Sequence, residues 1–241
     1  MTEIETQTSN EVQPSKRSQR TALAVVGLIG VLAIGFALGF FARLPIDDGE
    51  SAAPAADSVD VGFSQDMTVH HNQAIDMATI ALTKSSDPAV KNLAYDILTT
   101  QQNQVGQMQG WLALWDRAPL PTGGYMTWMS EADGHGGHSG HAATGTATPA
   151  AHDPGKMPGM ATPDEMSALG QASGRDLDVM FLQLMLRHHQ GGLPMMEYGA
   201  QYADVPAVRN LAKTMVETQQ GESTLMTGML AERGAAPLPM N

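Results

Sequence analysis

Residues 60–77 read DVGFSQDMTVHHNQAIDM, and residues 178–195 read DVMFLQLMLRHHQGGLPM. These stretches begin two longer segments, because residues 60–121 align with residues 178–239 at one constant shift and without a gap. The shared letters continue through PAVxNLA and TQQ to APLP at the end of each segment. The chain therefore contains an internal duplication of about sixty residues, and such a unit buries its apolar face only against its neighbour.

The first copy is predicted to form a helical hairpin. Asp57 or Ser58 can cap a helix that runs to about Ser85. Asp87 and Pro88 then start a second helix, since proline is tolerated in a first turn. That second helix carries an amphipathic stripe at three- and four-residue spacing, made of Leu93, Ile97, Gln101, Val105, Met108 and Leu112.

The second copy repeats the hairpin at about residues 173–203 and 206–233. Neither hairpin can bury its apolar stripe alone, so the two are expected to pack on each other. The predicted fold is all-α: a four-helix bundle built from residues 59–121 and 163–241, with residues 122–162 as a linker. Alternating β-branched runs are absent from the sequence, so no strand is predicted.

The N-terminal part of the chain predicts one membrane helix. Residues 21–42 are almost all apolar and carry no charge, over the length needed to cross a hydrocarbon core about 30 Å thick. Three basic residues from Lys16 on precede this segment, and acidic residues follow it from Asp47 on. The positive-inside rule therefore predicts that residues 1–20 are cytoplasmic and that the rest of the chain is extracytoplasmic.

Residues 43–58 are small, acidic and interrupted by proline, which predicts a flexible tether. The alternative is a signal peptide cleaved near residues 52–56, which would release a secreted protein. The apolar run is longer than the core of an ordinary signal peptide, so an uncleaved anchor is favoured. Both interpretations export the bundle.

Composition excludes several classes of function. The chain has no cysteine, which rules out disulfides, iron–sulfur clusters and thiol nucleophiles. A formal charge of -12 argues against a nucleic-acid partner, because phosphate binding needs a basic face. The chain has 17 methionines but only five phenylalanines. All of the methionines except Met1 occur from Met67 onward.

A cluster of candidate metal ligands is predicted on the first helix of each copy. On a helical wheel, the side chains of one face lie within an arc of about 120°, and pseudo-twofold packing would bring both faces to one level of the bundle. The candidate ligands are His70, His71, His188, His189, Met67, Met77, Met185 and Met195, with Met108 and Met226 from the second helices as auxiliary ligands.

Two other interpretations of these residues stay open. Methionine is a flexible packing residue, so each of the methionines can be explained as core filling. Adjacent imidazoles on a buried face need polar partners, so the histidine pairs can instead be hydrogen-bonded structural residues. The presence of a histidine pair in both copies favours a metal role, although the second pair can also be inherited from the duplication without any such role.

The ligand types favour copper. A carboxylate-bridged di-iron bundle needs Glu-x-x-His motifs, and none occurs in the chain. Imidazole suits copper, zinc, nickel and iron, whereas thioether sulfur selects soft Cu(I). The abundance of methionine therefore points to Cu(I), with zinc or iron as alternatives.

The linker has two interpretations of its own. Its histidines and methionines could capture copper loosely and pass it to the bundle, or it could be a solvated spacer. Its low apolar content predicts that it is mobile and outside the core. Its candidate auxiliary ligands are His135, His138, His141, His152, Met157 and Met160.

The repeated motif D-x-x-F-x-x-x-M-x-x-H-H, together with the segment MPGM at residues 157–160, resembles the domain-of-unknown-function family 305. The resemblance covers most of residues 60–234. It implies a ferritin-like four-helix bundle that is exported or membrane-tethered, with copper binding among some members. The second motif departs from the pattern at Gly192, which replaces a small alanine, and at Pro194, which is expected to interrupt and kink the helix.

The sequence thus favours a membrane-anchored, extracytoplasmic copper-binding protein that buffers or delivers the metal. We find no supported nucleophile–base pair and no phosphate or dinucleotide motif, so catalysis is less favoured than binding. One alternative is a copper or iron oxidoreductase on the same residues. Another is an envelope interaction module with structural histidines. A homo-oligomer or a copper-transfer partner is also compatible with the sequence.

The predicted orientation can be tested by proteolysis. Protease added to intact cells or spheroplasts is expected to digest the bundle, because the basic residues before the apolar segment retain the N-terminus in the cytoplasm. A tag at the N-terminus should stay intact until the membrane is broken. Digestion of the N-terminal tag with a protected bundle would contradict the orientation.

Overall fold

The computed structural model describes residues 35–36, 53–130 and 157–241. Residues 35–36 are helical and belong to an N-terminal unit, and the described residues from 53 onward belong to a second unit. The predicted anchor at residues 21–42 lies outside the described residues apart from this pair. No helix in the described ranges is long and apolar enough to cross a membrane.

The first hairpin consists of α1 (Val59–Lys84) and α2 (Pro88–Leu114). The side chain of Ser58 caps α1 by accepting a hydrogen bond from the backbone N–H of Val61 at 3.3 Å. The side chain of Asp87 caps α2 by accepting one from the N–H of Ala89 at 2.8 Å. Both helices therefore begin directly after the capping residues that the sequence analysis predicted.

The second hairpin follows a short helix that the sequence did not predict. This helix, α3 (Pro163–Gln171), has a capping box in which Thr162 and Glu165 exchange hydrogen bonds. The hairpin itself consists of α4 (Gly174–Tyr202) and α5 (Pro206–Glu232), in agreement with the predicted helices. Apart from turns and connecting segments, the described residues are therefore helical, with one 3-10 turn at Thr127–Ser130 and no strand.

The expectation that Pro194 interrupts its helix is wrong, because α4 continues through it as one helix. Proline removes one backbone donor and leaves the carbonyl of Gln190 without its helical partner. Both Pro194 and Gln190 are exposed, so this loss falls on the solvent face of α4. Water can replace the missing hydrogen bond there, and the helix persists.

The hairpins pack on each other through their first helices, α1 and α4. A reciprocal pair of buried aspartates ties each hairpin to the turn of the other. Asp60 accepts hydrogen bonds from the backbone N–H groups of Asp204 (3.2 Å) and Val205 (2.9 Å) between α4 and α5. Asp178, its counterpart in the second copy, accepts one from the hydroxyl of Ser85 at 2.6 Å. The first residue of the repeated motif thus fixes the level at which the two copies meet.

The prediction that residues 122–162 stay outside the core is wrong at its N-terminal end. The indole of Trp128 is buried directly over Gly62, where an added Cβ would lie 2.3 Å from the ring. Asp66 accepts hydrogen bonds from the indole N–H of Trp128 (2.8 Å) and from the N–H of Met126 (2.6 Å). Burial raises the pKa of Asp66, against the lowering effect of these two bonds. A glycine notch and one buried acceptor therefore hold this segment on α1.

The same prediction is wrong at the C-terminal end of the linker. Gln73 of α1 forms two hydrogen bonds with the backbone of Ala161, donating to its carbonyl at 2.8 Å and accepting from its N–H at 2.7 Å. Arg187 of α4 pairs with Glu165 at 2.6 Å and so anchors α3. The central part of the linker, with His135, His138, His141 and His152, lies outside the described residues.

Candidate metal centre

The four histidines of the repeated motif meet in the middle of the bundle. His70 and His71 come from α1, and His188 and His189 come from α4; none is more than 1% exposed. The rings of His70 and His188 lie against each other, with centroids 3.7 Å apart and planes inclined by 34°. His71 and His189 flank this central contact at ring distances of 6.5 and 6.3 Å from their neighbours in sequence.

Three of the imidazoles are oriented through Nε2. The Nε2 of His71 lies 2.7 Å from Oε1 of Gln104 on α2, and the Nε2 of His189 lies 2.6 Å from the carboxylate of Glu222 on α5. The Nε2 of His188 lies 3.0 Å from the backbone carbonyl of His70. Because all three partners are oxygen acceptors, each Nε2 carries the donated proton in the neutral ring. The Nδ1 lone pairs of these three rings are therefore free to bind a ligand.

These Nδ1 atoms have no hydrogen-bond partner, and they belong to a larger set of unpaired buried atoms. Gln101 of α2 and Gln219 of α5 occupy equivalent positions in the two copies, and both are nearly fully buried with neither amide atom hydrogen-bonded. Among the described residues, ten buried side-chain nitrogen and oxygen atoms lack partners, and nine of them belong to these four histidines and two glutamines. Buried polar atoms are normally satisfied, so this concentration makes the layer the candidate site of the described residues.

Burial keeps the central imidazoles neutral. Burial, together with the neighbouring imidazoles of His71 and His189, lowers the pKa of His70 to about 3. The pKa of His71 is lowered to about 4, because the effect of burial exceeds the raising effect of the hydrogen bond with Gln104. The pKa of His188 lies well below its ordinary value for the same main reason. Neutral imidazole is the form that binds a metal.

The predicted sulfur ligands divide into two buried groups. The six that lie on the helices of the two hairpins have no exposed surface. One apolar cluster contains Met67, Met195 and Met108, and the other contains Met185, Met77 and Met226. Each group thus combines positions from both copies, as expected for two antiparallel first helices.

Carboxylates do not complete a conventional site here. Among the described residues, no three His, Asp or Glu side chains are grouped so that they could hold a metal ion.

Residues 157–161, which we call the strap, cross α4 beside His70. Gly159 has a φ of 79°, and a Cβ there would lie 2.5 Å from the carbonyl oxygen of Arg187. A Cβ on Gly191 would lie 2.3 Å from the carbonyl oxygen of Pro158. The carbonyl of Pro158 lies near His70 and slightly raises its pKa, without the geometry that would give either ring nitrogen a partner. Of the two methionines of the strap, Met157 is buried and Met160 is half-buried.

Gly192 explains one departure of the second motif from the first. A Cβ at this position would lie 2.7 Å from Cε1 of His70, so the imidazole occupies the space that an alanine side chain would need. The contact between His70 and His188 therefore depends on glycine at this point of α4.

Gln101, Gln104, Gln219 and Glu222 are the site residues that sequence reasoning did not identify. A signal was present, since TQQ recurs at equivalent positions and Gln101 falls in an otherwise apolar stripe. A polar residue in a buried stripe indicates a partner inside the core.

The comparisons with known proteins establish the family. The profile described as "Domain of unknown function (DUF305)" matches residues 60–230. The chain belongs to the DUF305 family. A candidate secreted DUF305 protein from Streptomyces coelicolor is 40% identical, with a TM-score of 0.65 over 77% of this chain and 99% of that one. A DUF305 fragment from Deinococcus radiodurans is 30% identical, with a TM-score of 0.55 over 72% and 96% of the two chains.

Another protein of similar structure is CopM. Its structure in the Cu(II)-bound form is 26% identical to this chain, with a TM-score of 0.52 over 73% of this chain and 97% of that one. Among curated proteins, an uncharacterized protein of Acanthamoeba polyphaga mimivirus is 37% identical over 49 residues. That match spans 20% of this DUF305 chain and 32% of the viral protein.

The low pKa values predict that the metal-free protein loses stability as the pH falls. When folding lowers the pKa of a histidine, the unfolded protein binds the proton at a higher pH than the folded protein does. The folded state therefore keeps its full stability above about pH 6.5, the pKa of an unperturbed histidine, and loses stability as the pH falls below that value. Between about pH 7 and pH 5, the free energy of unfolding is expected to fall by up to roughly 2 kcal/mol for each of His70 and His71. His188 is expected to act in the same direction. The free energy of unfolding by urea at each pH measures this loss.

The matched variant for this measurement is His71→Gln, which keeps a side-chain donor near Gln104 but cannot titrate. It should show a smaller loss between pH 7 and pH 5 than the wild-type protein. Equal unfolding free energies of the wild-type protein at both pH values would show that the imidazoles are hydrated and would contradict the description of a closed layer.

Proposed function

We propose that the buried histidine layer binds copper as Cu(I), and that the protein buffers or delivers this metal outside the cytoplasm. The observation that carries the proposal is the set of buried Nδ1 lone pairs on His71, His188 and His189, each on a ring fixed through Nε2. Leaving a buried acceptor unpaired costs about 1–3 kcal/mol. A metal ion bound at one of these Nδ1 atoms would remove that cost.

The orientation of the rings supports a metal rather than a purely structural role. Metal-binding histidines commonly donate their other ring N–H to a carboxylate, a carbonyl or a similar acceptor, which fixes the tautomer. All three rings have this arrangement. As purely structural residues, they would leave the same Nδ1 atoms unpaired, so an interaction module with structural histidines accounts for less of the geometry.

The surroundings of the layer favour a soft ion. Zinc and iron sites are built from histidine, cysteine and carboxylate ligands, and no group of three such side chains is arranged for this in the described residues. The candidate methionines place buried thioether sulfur in both apolar clusters of the bundle. Thioether sulfur stabilises Cu(I) and adds little for Zn(II).

Burial of the site favours binding over turnover. An oxidoreductase needs a ligand position that oxygen or substrate can reach. The four imidazoles are at most 1% exposed, and the strap crosses α4 next to His70. A buffer or delivery protein needs only that the metal enters and leaves.

The relatives give independent support. CopM, in its Cu(II)-bound structure, has the same fold at 26% identity over most of both chains. The Streptomyces coelicolor relative, a candidate secreted protein, supports an extracytoplasmic location for this chain. Attachment through residues 21–42 is part of the proposal, as are a homo-oligomer and a copper-transfer partner.

The proposal predicts that Cu(I) affinity depends on the core histidines and not on the linker histidines. The experiment compares full-length protein without a purification tag in competition with a chromophoric Cu(I) chelator. The variant with alanine at His70, His71, His188 and His189 should bind Cu(I) at least about a hundredfold more weakly. The matched control carries alanine at the four linker histidines, His135, His138, His141 and His152, and should keep the tight site.

Two further measurements make the outcome decisive. Helical circular dichroism reports whether the core variant is folded, and a variant with leucine at Met67, Met77, Met185 and Met195 keeps core volume while removing the sulfur. The methionine variant should lose Cu(I) affinity and change little toward Zn(II). Wild-type Cu(I) affinity in a folded core variant, with loss in the linker variant, would move the site out of the bundle.

A further inference from the structure

The two halves of the histidine layer are alike in geometry but unlike in charge. His71 is held by the carboxamide of Gln104 at 2.7 Å, and His189 is held by the carboxylate of Glu222 at 2.6 Å. Gln104 and Glu222 occupy equivalent positions in the two copies, each 33 residues after its histidine. The duplication therefore produced one neutral half and one half with a formal negative charge.

The carboxylate of Glu222 lies in a mostly buried position, since its side chain is 16% exposed. Within the described part of the chain, its partner is the imidazole of His189, which is a cation only when protonated, and no lysine or arginine pairs with it. A buried charge without a compensating charge is costly. The metal-free layer thus contains an acidic group that lacks a fixed cation.

The electrostatic free energy of placing a monovalent cation differs between the two halves. On the His189 half, a +1 ion and the carboxylate give a net charge of zero. On the His71 half, the same ion is surrounded by neutral ligands and leaves a net charge of +1 in an apolar core. The low dielectric of such a core enlarges this difference.

The carboxylate also affects the ligand itself. An imidazole that donates its Nε2 proton to a carboxylate becomes a more basic ligand through Nδ1 than one that donates to a carboxamide. Both effects act in the same direction. Each favours the Nδ1 of His189 over the Nδ1 of His71.

We infer that the layer contains two unequal half-sites for a soft monovalent ion, in which the His189 half fills first and tightly and the His71 half fills second and weakly. Glu222 is the positioning residue that makes the difference, since it orients His189 and balances the charge without touching the metal. This inference rests on the proposed function. It adds an order of filling, in which the weaker half exchanges its ion more readily.

The experiment uses full-length protein and Ag(I), a soft monovalent ion that does not change oxidation state in air. Imidazole ¹⁵N resonances report which ring binds at each added equivalent, and competition with a soluble ligand gives the affinities. In the wild-type protein, the first equivalent should shift Nδ1 of His189, and the second should shift Nδ1 of His71.

Reciprocal variants with nearly equal side-chain size provide the control. Glu222→Gln makes both halves neutral, so the first affinity should fall about 10- to 100-fold and the order of filling should disappear. Gln104→Glu makes both halves acidic and should strengthen the second affinity. The double variant should restore one tight site and reverse the order, with His71 shifting first.

The outcomes separate this inference from the proposed function. If the wild-type protein binds no Ag(I) or Cu(I) in the layer, the proposed function fails and the inference fails with it. If the ion binds but His71 and His189 shift together, or if Glu222→Gln leaves the affinity and the order unchanged, only the inference is overturned. If Gln104→Glu alone misfolds, Glu222→Gln and the double variant, which preserve side-chain size, still test the order of filling.

Discussion

The contact between the imidazoles of His70 and His188 is the interaction on which the arrangement of this protein depends. It lies where α1 and α4 meet, at a ring distance of 3.7 Å, and it requires that Gly192 carry no side chain. Burial lowers the pKa of both rings, which is necessary because two charged imidazoles could not approach so closely. The reciprocal hydrogen bonds of Asp60 and Asp178 hold the two hairpins at this level.

A polar layer inside a helical bundle is costly unless something satisfies it. The two methionine-rich clusters provide an apolar environment for it, which strengthens any interaction between a bound ion and its ligands. The strap adds a cover at residues 157–161, fixed to α1 through Gln73. These features are the reason why we propose that the layer binds and retains a metal.

The sequence allowed the helices and the histidine level to be predicted, because both follow from local periodicity and from the constant shift between the two copies. It could not predict that Gln104 and Glu222 hold the imidazoles, since those contacts depend on the register between two helices of a hairpin. The docking of Trp128 over Gly62 and of Ala161 on Gln73 was missed for a related reason. Short glycine-rich segments have no periodicity, and their positions are set by a few long-range hydrogen bonds.

The central claim is that the unpaired Nδ1 atoms of this layer are metal ligands. The most direct measurement is anomalous X-ray scattering from crystals of the protein loaded with Cu(I) under anaerobic conditions. The account predicts a strong peak inside the bundle, within bonding distance of Nδ1 of His189, while the hydrogen bond between its Nε2 and Glu222 remains intact. Anomalous peaks found only outside the bundle, with the layer filled by water molecules bonded to the same Nδ1 atoms, would contradict it.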